Sequence, residues 1–317
     1  YWALKDVVQK KEQAIIYLNK RGLYANLVCK DCGYSFKCSN CDITYTYYKY
    51  ENKLKCHYCT QEIMKPEFCP QCQSKRIKNL SIGTEKVAED LKVLFPDTKI
   101  DRLDRDIITS YPKLAEVIKK VKQNETTILI GTQMVVKGHH FPNVTLVAVL
   151  LADQGITFPD IRSAEYSFHD FIQVSGRAGR AEKKGKVLIQ TYMKNHYTIQ
   201  YFVQQKIDDF YKHELEWRKA LNYPPFYKMV NILISSQDEK LLEESIAKIN
   251  QYNPIATIYL QATKAPVYKI NNIFRFIIQI KSMQPSAIDK EMRSLLKHLE
   301  KLKLSSKIDI IIDRDPL

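Results

Sequence analysis

Apolar and polar positions along the chain follow a changing rhythm that predicts its elements. Residues 1 to 27 open with helical spacing, pass through the apolar run AIIYLN and continue into KRGLYANLV, which predicts a helix, a buried strand and a strand after a turn. Further on, SIGTEKVAEDLKVLF starts with a Ser/Gly/Thr cluster and places Val87, Leu91 and Leu94 on one face, the pattern of an amphipathic helix with a start signal. KIDRLD then predicts a short strand, YPKLAEVIKKVKQ a helix, TTILIGT and NVTLVAVLLAD two strands, residues 161 to 174 a third helix, and VLIQTY a closing strand. Helix and strand alternate through residues 1 to 27 and 79 to 192, so the expected class is α/β with a parallel, doubly wound sheet.

The rhythm changes at about residue 196. A charged helix is expected from 196 to 220, ended by the prolines of NYPPF. KMVNILISS, EKLLEESIAKIN, ATIYL, FRFIIQIKS, AIDKEMRSLLKHLEKL and KIDIIID follow as strand, helix, strand, strand, helix and strand. That βαββαβ order predicts a C-terminal α+β domain of ferredoxin-like arrangement.

Between the first two α/β stretches the alternation is interrupted by cysteines. All eight lie between residues 29 and 72, and each belongs to a C-x-x-C pair: Cys29/Cys32, Cys38/Cys41, Cys56/Cys59 and Cys69/Cys72. A disulfide framework would rarely leave four such pairs and no stray, so in a reducing compartment the pattern predicts metal. Two thiolate knuckles close one tetrahedral zinc site, and eight cysteines therefore suit two structural Zn2+ ions. The spacer from 42 to 55 carries ITYTYYKY, read as an alternating strand, so Cys38/Cys41 is expected to pair with Cys56/Cys59 in a zinc ribbon. Cys29/Cys32 and Cys69/Cys72 then share the second ion. An iron-sulfur cluster is the rival reading of the cysteines. His57 is read as a bystander, and the aromatic strand with Tyr34, Phe36, Lys49, Lys53 and Lys55 either stacks bases or packs the ribbon.

Composition narrows the picture only a little. Hydrophobic residues at 45% and charged residues at 26% fit a soluble globular chain. No apolar run approaches the length of a membrane span and no export signal opens the chain, so a cytoplasmic protein without membrane contact is expected. The formal charge of +14 favours a polyanionic partner such as nucleic acid, although a Lys-rich composition alone would raise it too. The chain opens on Tyr1 with no initiator Met and reads as a fragment.

FIQVSGRAGR, residues 171 to 180, places two arginines on a glycine-spaced turn, a common way to offer guanidinium groups to phosphate. No G-x-x-x-x-G-K-[ST] loop exists in the chain to cradle a nucleotide. Either the arginines serve another ligand, or the cradle lies outside these residues. ILIGTQMVVKGHHFPNVTLVAVL together with HDFIQVSGRAGR resembles motifs V and VI in the second RecA-like lobe of superfamily 2 helicases. The resemblance implies that Arg177 and Arg180 reach the nucleotide across the lobe interface, with Arg180 as the finger. It further implies that Gln173 anchors the motif, that Gly176, Gly179 and Gly138 let backbone approach the cofactor, and that Thr132, Gln133 and Lys137 contact DNA.

Adding IYLNKRGLYA, the inserted knuckles, GTEKVAEDLKVLFP, RLDRD, PDIRSAEYSF, LNYPPF and IDIIIDRDPL, the whole chain is similar to the primosomal protein N′ family of replication-restart helicases. That family implies an ATP-dependent 3′ to 5′ DNA helicase that recognises stalled forks and assembles the primosome. Expected partners are forked and single-stranded DNA, the single-stranded DNA-binding protein and other primosome proteins, and a monomer is expected. ATP and Mg2+ would bind only with the first, P-loop-bearing lobe, and the fragment alone would be inactive. Expected domains are the start of helicase lobe 2 at 1–27, the zinc module at 28–78, the rest of lobe 2 at 79–195, and a linker helix with the ferredoxin-like DNA-binding domain at 196–317. The chain departs from the family at His140 and Leu151, each standing where a carboxylate is common, and at the segment before Arg275. A split or degenerate gene product that keeps only DNA or partner binding is the alternative, and a zinc-ribbon accessory protein of transcription leaves both helicase motifs unexplained.

Overall fold

The computed structural model describes residues 1–18, 27–48, 51–56, 58–79, 83–104, 107–108, 110–136, 141–157, 160–179, 185–255 and 257–316. In chain order the elements are α1 (Trp2–Gln9), β1 (Gln13–Leu18), β2 (Leu27–Cys29), β3 (Thr46–Tyr48), β4 (Lys53–Lys55), β5 (Glu62–Met64), β6 (Ile77–Asn79), α2 (Thr84–Leu94), β7 (Ile100–Leu103), α3 (Tyr111–Lys122), β8 (Ile128–Gly131), α4 (Gln133–Val136) and β9 (Val144–Leu150). There follow α5 (Asp153–Ile156), α6 (Ser163–Ser175), β10 (Lys186–Ile189), α7 (Tyr197–Val203), α8 (Ile207–Ala220), β11 (Lys228–Ser236), α9 (Glu239–Ile249), β12 (Ile258–Ile270), β13 (Ile273–Ser282), α10 (Pro285–Leu302) and β14 (Asp309–Arg314). They gather into two compact units: residues 1–25 with 80–211, and residues 26–79 with 212–317.

The first unit is a five-stranded parallel sheet of order β10-β9-β1-β8-β7. A parallel sheet is covered on both faces, which is why β1 buries all six of its residues instead of alternating. Side chains point alternately to the two faces. Ile15, Tyr17, Leu129, Val147 and Val149 pack on one side with Val121 of α3 and Phe171 and Val174 of α6. Ile16, Leu18, Ile128, Ile130 and Ala148 pack on the other with Val87, Ala88 and Leu91 of α2 and Leu4 of α1. The doubly wound reading of the pattern is therefore the observed one.

In the second unit the cysteine-bearing segment forms two small antiparallel sheets, β2-β6 and β3-β4-β5, with Cys29 in β2 and the other cysteines between the strands. The larger antiparallel sheet has order β12-β13-β11-β14, which together with the βαββαβ chain order is the split arrangement expected of a ferredoxin-like domain. α9 starts where the Asp238 side chain accepts from the Leu241 amide at 3.0 Å, and α10 starts on Pro285, whose missing N–H costs nothing in a first turn.

Three elements differ from expectation. The charged helix is two helices, α7 and α8, separated at Gln204 to Lys206, with Gln205 at φ 57. β12 runs thirteen residues through Pro266, far past ATIYL; as an edge strand with two register shifts against β13 it can accommodate a proline. The strand read across ITYTYYKY is the three-residue β3, with Lys49 and Tyr50 outside the described residues.

Candidate functional site

Motif V begins where β8 ends. Gly131 has no room for a side chain: a Cβ there would lie 2.1 Å from Val135 Cγ2 and 2.6 Å from the Leu103 carbonyl oxygen. This close approach lets the chain turn at once into α4, with Thr132 buried and the Val135 amide donating to its carbonyl at 2.9 Å. Gln133, on the first turn of α4, donates through Nε2 to Asp170 Oδ2 at 3.3 Å, and the Tyr17 hydroxyl donates to the same oxygen at 3.0 Å. Asp170 lies on the buried side of α6, so one carboxylate ties the start of α4 and the centre of the sheet to the helix that leads into the arginine turn.

At the end of α6 the Gln173 side chain meets the His169 imidazole one turn back. Gly176 caps the helix, and Arg177 is half-buried on the turn that follows, its amide donating to Val174 O at 3.0 Å. Gly179 adopts φ 68, a conformation open to glycine, and its amide donates to Val144 O at 2.9 Å, so the arginine turn is bolted to the start of β9. Gly185 closes tightly on this turn, where a Cβ would lie 2.4 Å from the Ala178 carbonyl carbon. The structure thus brings Thr132, Gln133, Gln173, Gly176, Arg177 and Gly179 into one unit; Arg180, Lys137, Gly138, His140 and His57 lie outside the described residues. Leu151 stands at φ 51, and the neighbouring Asp153 carboxylate accepts from the Thr191 hydroxyl and from the amides of Tyr192 and Met193.

Two further segments quoted from the sequence meet across the lobe. The Thr84 hydroxyl donates to Asp104 Oδ2 at 2.6 Å, Arg102 Nε donates to the same oxygen at 3.1 Å, and Arg102 Nη2 reaches Thr84 Oγ1 at 3.2 Å. Burial works to raise the pKa of Asp104, but the Thr84 hydroxyl and the Arg102 guanidinium outweigh it and hold the carboxyl below its usual range.

The cysteines form two groups whose sulfurs lie within 4.8 Å of one another: Cys38, Cys41, Cys56 and Cys59, and Cys29, Cys32, Cys69 and Cys72. This is the nested pairing read from the spacing. Cys29 and Cys72 sulfurs stand 3.5 Å apart, Cys32 and Cys69 3.6 Å, and Cys38 and Cys59 3.6 Å. Four sulfurs at about 2.3 Å from a tetrahedral zinc would stand about 3.8 Å apart, so both groups fit the ion and neither is a disulfide. The Cys32 amide draws Cys29 down to about 6, while burial pushes Cys41 up to about 12.

The aromatic strand resolves mostly toward packing. Phe36 and Tyr45 are buried with Leu27 and Leu54, and Tyr34 meets Phe36 edge-on. Lys53 pairs with Glu62 at 2.9 Å, and Lys55 with Glu51 at 2.6 Å and Glu62 at 2.9 Å, so both ammonium groups already have carboxylate partners. The sequence reading missed Tyr17, Asp170 and the Thr84–Asp104 contact. The signal for the last was present, since both residues sit in quoted motifs.

Known proteins resemble each part of the chain. Residues 219–317 match the family described as primosomal protein N C-terminal domain, residues 38–63 the PriA DNA helicase Cys-rich region (CRR) domain, and residues 68–182 the helicase conserved C-terminal domain. The replication restart protein PriA of Bacillus subtilis is 38% identical over 317 residues, a match covering 99% of this chain and 39% of that protein. PriA of Borreliella burgdorferi is 36% identical over 320 residues, with 100% and 48% covered, and that of Chlamydia muridarum 36% over 312 residues, with 96% and 41% covered. The chain therefore spans less than half the length of these relatives. Among solved structures, the C-terminal domain of the DEAD-box protein Dbp5 aligns at a TM-score of 0.32 and 14% identity, covering 69% of this chain and 92% of that one, too loose a likeness to carry an argument. Among the described residues no helix is long and apolar enough to cross a membrane.

Proposed function

Because the chain belongs to the PriA family of replication-restart helicases, we propose that it is the second motor lobe, zinc module and C-terminal domain of an ATP-dependent 3′ to 5′ DNA helicase that acts at stalled forks and assembles the primosome in the cytoplasm. The observation that carries the reading is the Gln133–Asp170 contact, which links a helix in the position of motif V to the helix that ends just before Arg177. In this reading Thr132, Gln133 and Lys137 meet the DNA backbone, and Gly176, Gly179 and Gly138 shape the nucleotide edge of the lobe. Arg177 and Arg180 stabilise charge on the transferred phosphoryl group, a task that suits a planar, permanently charged fork. The P-loop and Mg2+ ligands belong to a first lobe. Two Zn2+ ions staple the cysteine module, one in each group of four sulfurs. Forked and single-stranded DNA, the single-stranded DNA-binding protein and primosome proteins are the partners, and the protein works as a monomer.

The test compares these 317 residues with the protein joined to its first lobe. Residues 1–317 alone should bind DNA with strong salt dependence and hydrolyse no ATP, whereas the joined protein should show DNA-stimulated hydrolysis. Arg180→Ala in the joined protein should lower that turnover on the order of a thousandfold, and Arg177→Ala should lower it less. DNA-stimulated hydrolysis by residues 1–317 alone would overturn the assignment.

A further inference from the structure

The hairpin of β12 and β13 turns through Asn271 and Asn272, both left-handed at φ 50 and 61, a conformation asparagine tolerates better than most residues. Its tip lies on the Cys38/Cys41 knuckle. The Asp42 amide donates to Lys269 O at 2.8 Å, the Asn272 amide to Asn40 O at 2.8 Å, and Lys269 Nζ to Ser39 O at 2.8 Å. Ile270 packs against the buried cluster of the ribbon beside Cys38, Cys41 and Cys56. A fourth hydrogen bond reaches a metal ligand: the Asn271 amide donates to Cys41 Sγ at 3.2 Å.

That donor is unlike the others. Cys38 takes an amide from Asn40, Cys59 from Gln61, Cys32 from Tyr34, Cys72 from Ser74, and Cys29 from Asp31 and Cys32. Each of those donors lies within three residues of its sulfur, whereas Asn271 stands 230 positions from Cys41. An N–H aimed at a thiolate spreads its negative charge and fixes its direction, and such outer partners of a metal ligand are worth about 10- to 100-fold in affinity. The donors to Cys29, Cys32 and Cys72 are all local to the module.

We propose that the Asn271 turn is the outer shell of the inner zinc site, so that zinc retention by Cys38, Cys41, Cys56 and Cys59 and docking of the C-terminal domain on the ribbon are linked, while the Cys29/Cys32/Cys69/Cys72 site is independent of both. The inference rests on the two-zinc reading above. Linkage is reciprocal: what the hairpin adds to zinc binding, zinc adds to hairpin docking.

Zinc release from the full-length protein into a chromophoric chelator tests the forward arm. Asn271→Pro removes the donated N–H and cannot hold φ 50, and it should speed release of one of the two ions about 10-fold, leaving the other unchanged. Asn271→Gly keeps both the turn and the N–H and should release zinc as the parent does. Hydrogen exchange tests the reverse arm with variants that leave the hairpin sequence intact. Cys56→Ser should raise exchange at residues 268 to 273, whereas Cys72→Ser should leave it at the parent level. Equal release rates for Asn271→Pro and the parent, or hairpin exchange indifferent to Cys56→Ser, would overturn the linkage alone. A parent protein with one zinc or none at the inner cluster would overturn it together with the two-zinc reading.

Discussion

In the parallel sheet β1 buries every side chain it has, and two apolar layers close over the strands from both faces. Among the described residues of the cysteine module each of the five strands has three residues, and the large buried side chains come down to Leu27, Phe36, Tyr45 and Leu54 beside five of the cysteines. The lobe can be held by hydrophobic burial, at roughly 25 cal/mol per Å² of apolar surface. The module is too small for that currency, in common with other short units that rely on metals or disulfides. The difference assigns the tasks: the apolar lobe holds its arginine turn without help, while the module keeps its shape only while its sulfurs are tied.

Stripping the metal breaks the comparison most violently. Each structural zinc is worth on the order of 10 kcal/mol, so chelation under reducing conditions should melt residues 27 to 79 while β1, β8 and β9 remain closed. Hydrogen exchange read segment by segment checks this. Protection that survives in β2 to β6 after the metal is removed would mean the module has a core that its side chains do not suggest. The reverse experiment belongs to the lobe. Phe171→Ala empties a fully buried site of α6 against the sheet and should cost about 3–5 kcal/mol in denaturant unfolding, with zinc content unchanged.

The same contrast explains what could be read in advance. The strands of the lobe are continuous apolar runs, and the cysteine pairs are spaced by the geometry of the ion they close, so sheet class and nested pairing were both legible. The Asn271–Cys41 contact was not, because a backbone amide leaves no mark on a sequence and its partner is 230 positions away. The division between α7 and α8 was hidden because Gln205 is no recognised helix breaker, and the reach of β12 because it buries only two of its thirteen residues and so shows little alternation. Asp170 reads as one polar residue on a helix, and only the fold reveals Tyr17 and Gln133 converging on it.

A smaller effect sharpens the comparison within the lobe, where one polar cluster is bound into the apolar frame. Asp104 is fully buried and Arg102 nearly so. Asp104→Asn should cost about 3 kcal/mol by leaving the guanidinium without its carboxylate. The folded pKa of Asp104 lies below the unfolded one, so its stabilisation is complete above the ordinary carboxylate range and is lost as pH falls through the folded value. Opening of α2 and β7, followed by exchange as pH is lowered, should therefore steepen in the parent below about pH 4 and be flatter in Asp104→Asn. Equal slopes would mean that this carboxyl is as acidic in the unfolded chain.

The smallest effect falls on the surface of the module. Lys53 and Lys55 give the ribbon a basic look in the sequence, but Glu62 bridges them and Glu51 takes a second bond from Lys55. A lysine that neutralises one DNA phosphate contributes about 0.9 to the slope of log affinity against log salt. Lys53→Ala should change that slope by less than about 0.3, because its charge is already answered within the protein and releases few counterions on binding. Glu62→Gln frees Lys53 and leaves Lys55 with Glu51 alone, and it should raise both affinity and slope above those of the parent. If Lys53→Ala instead removed a full phosphate's worth of slope, the ribbon would be gripping DNA through a lysine that gives up its glutamate to do so, and the division of labour between module and lobe would have to be redrawn.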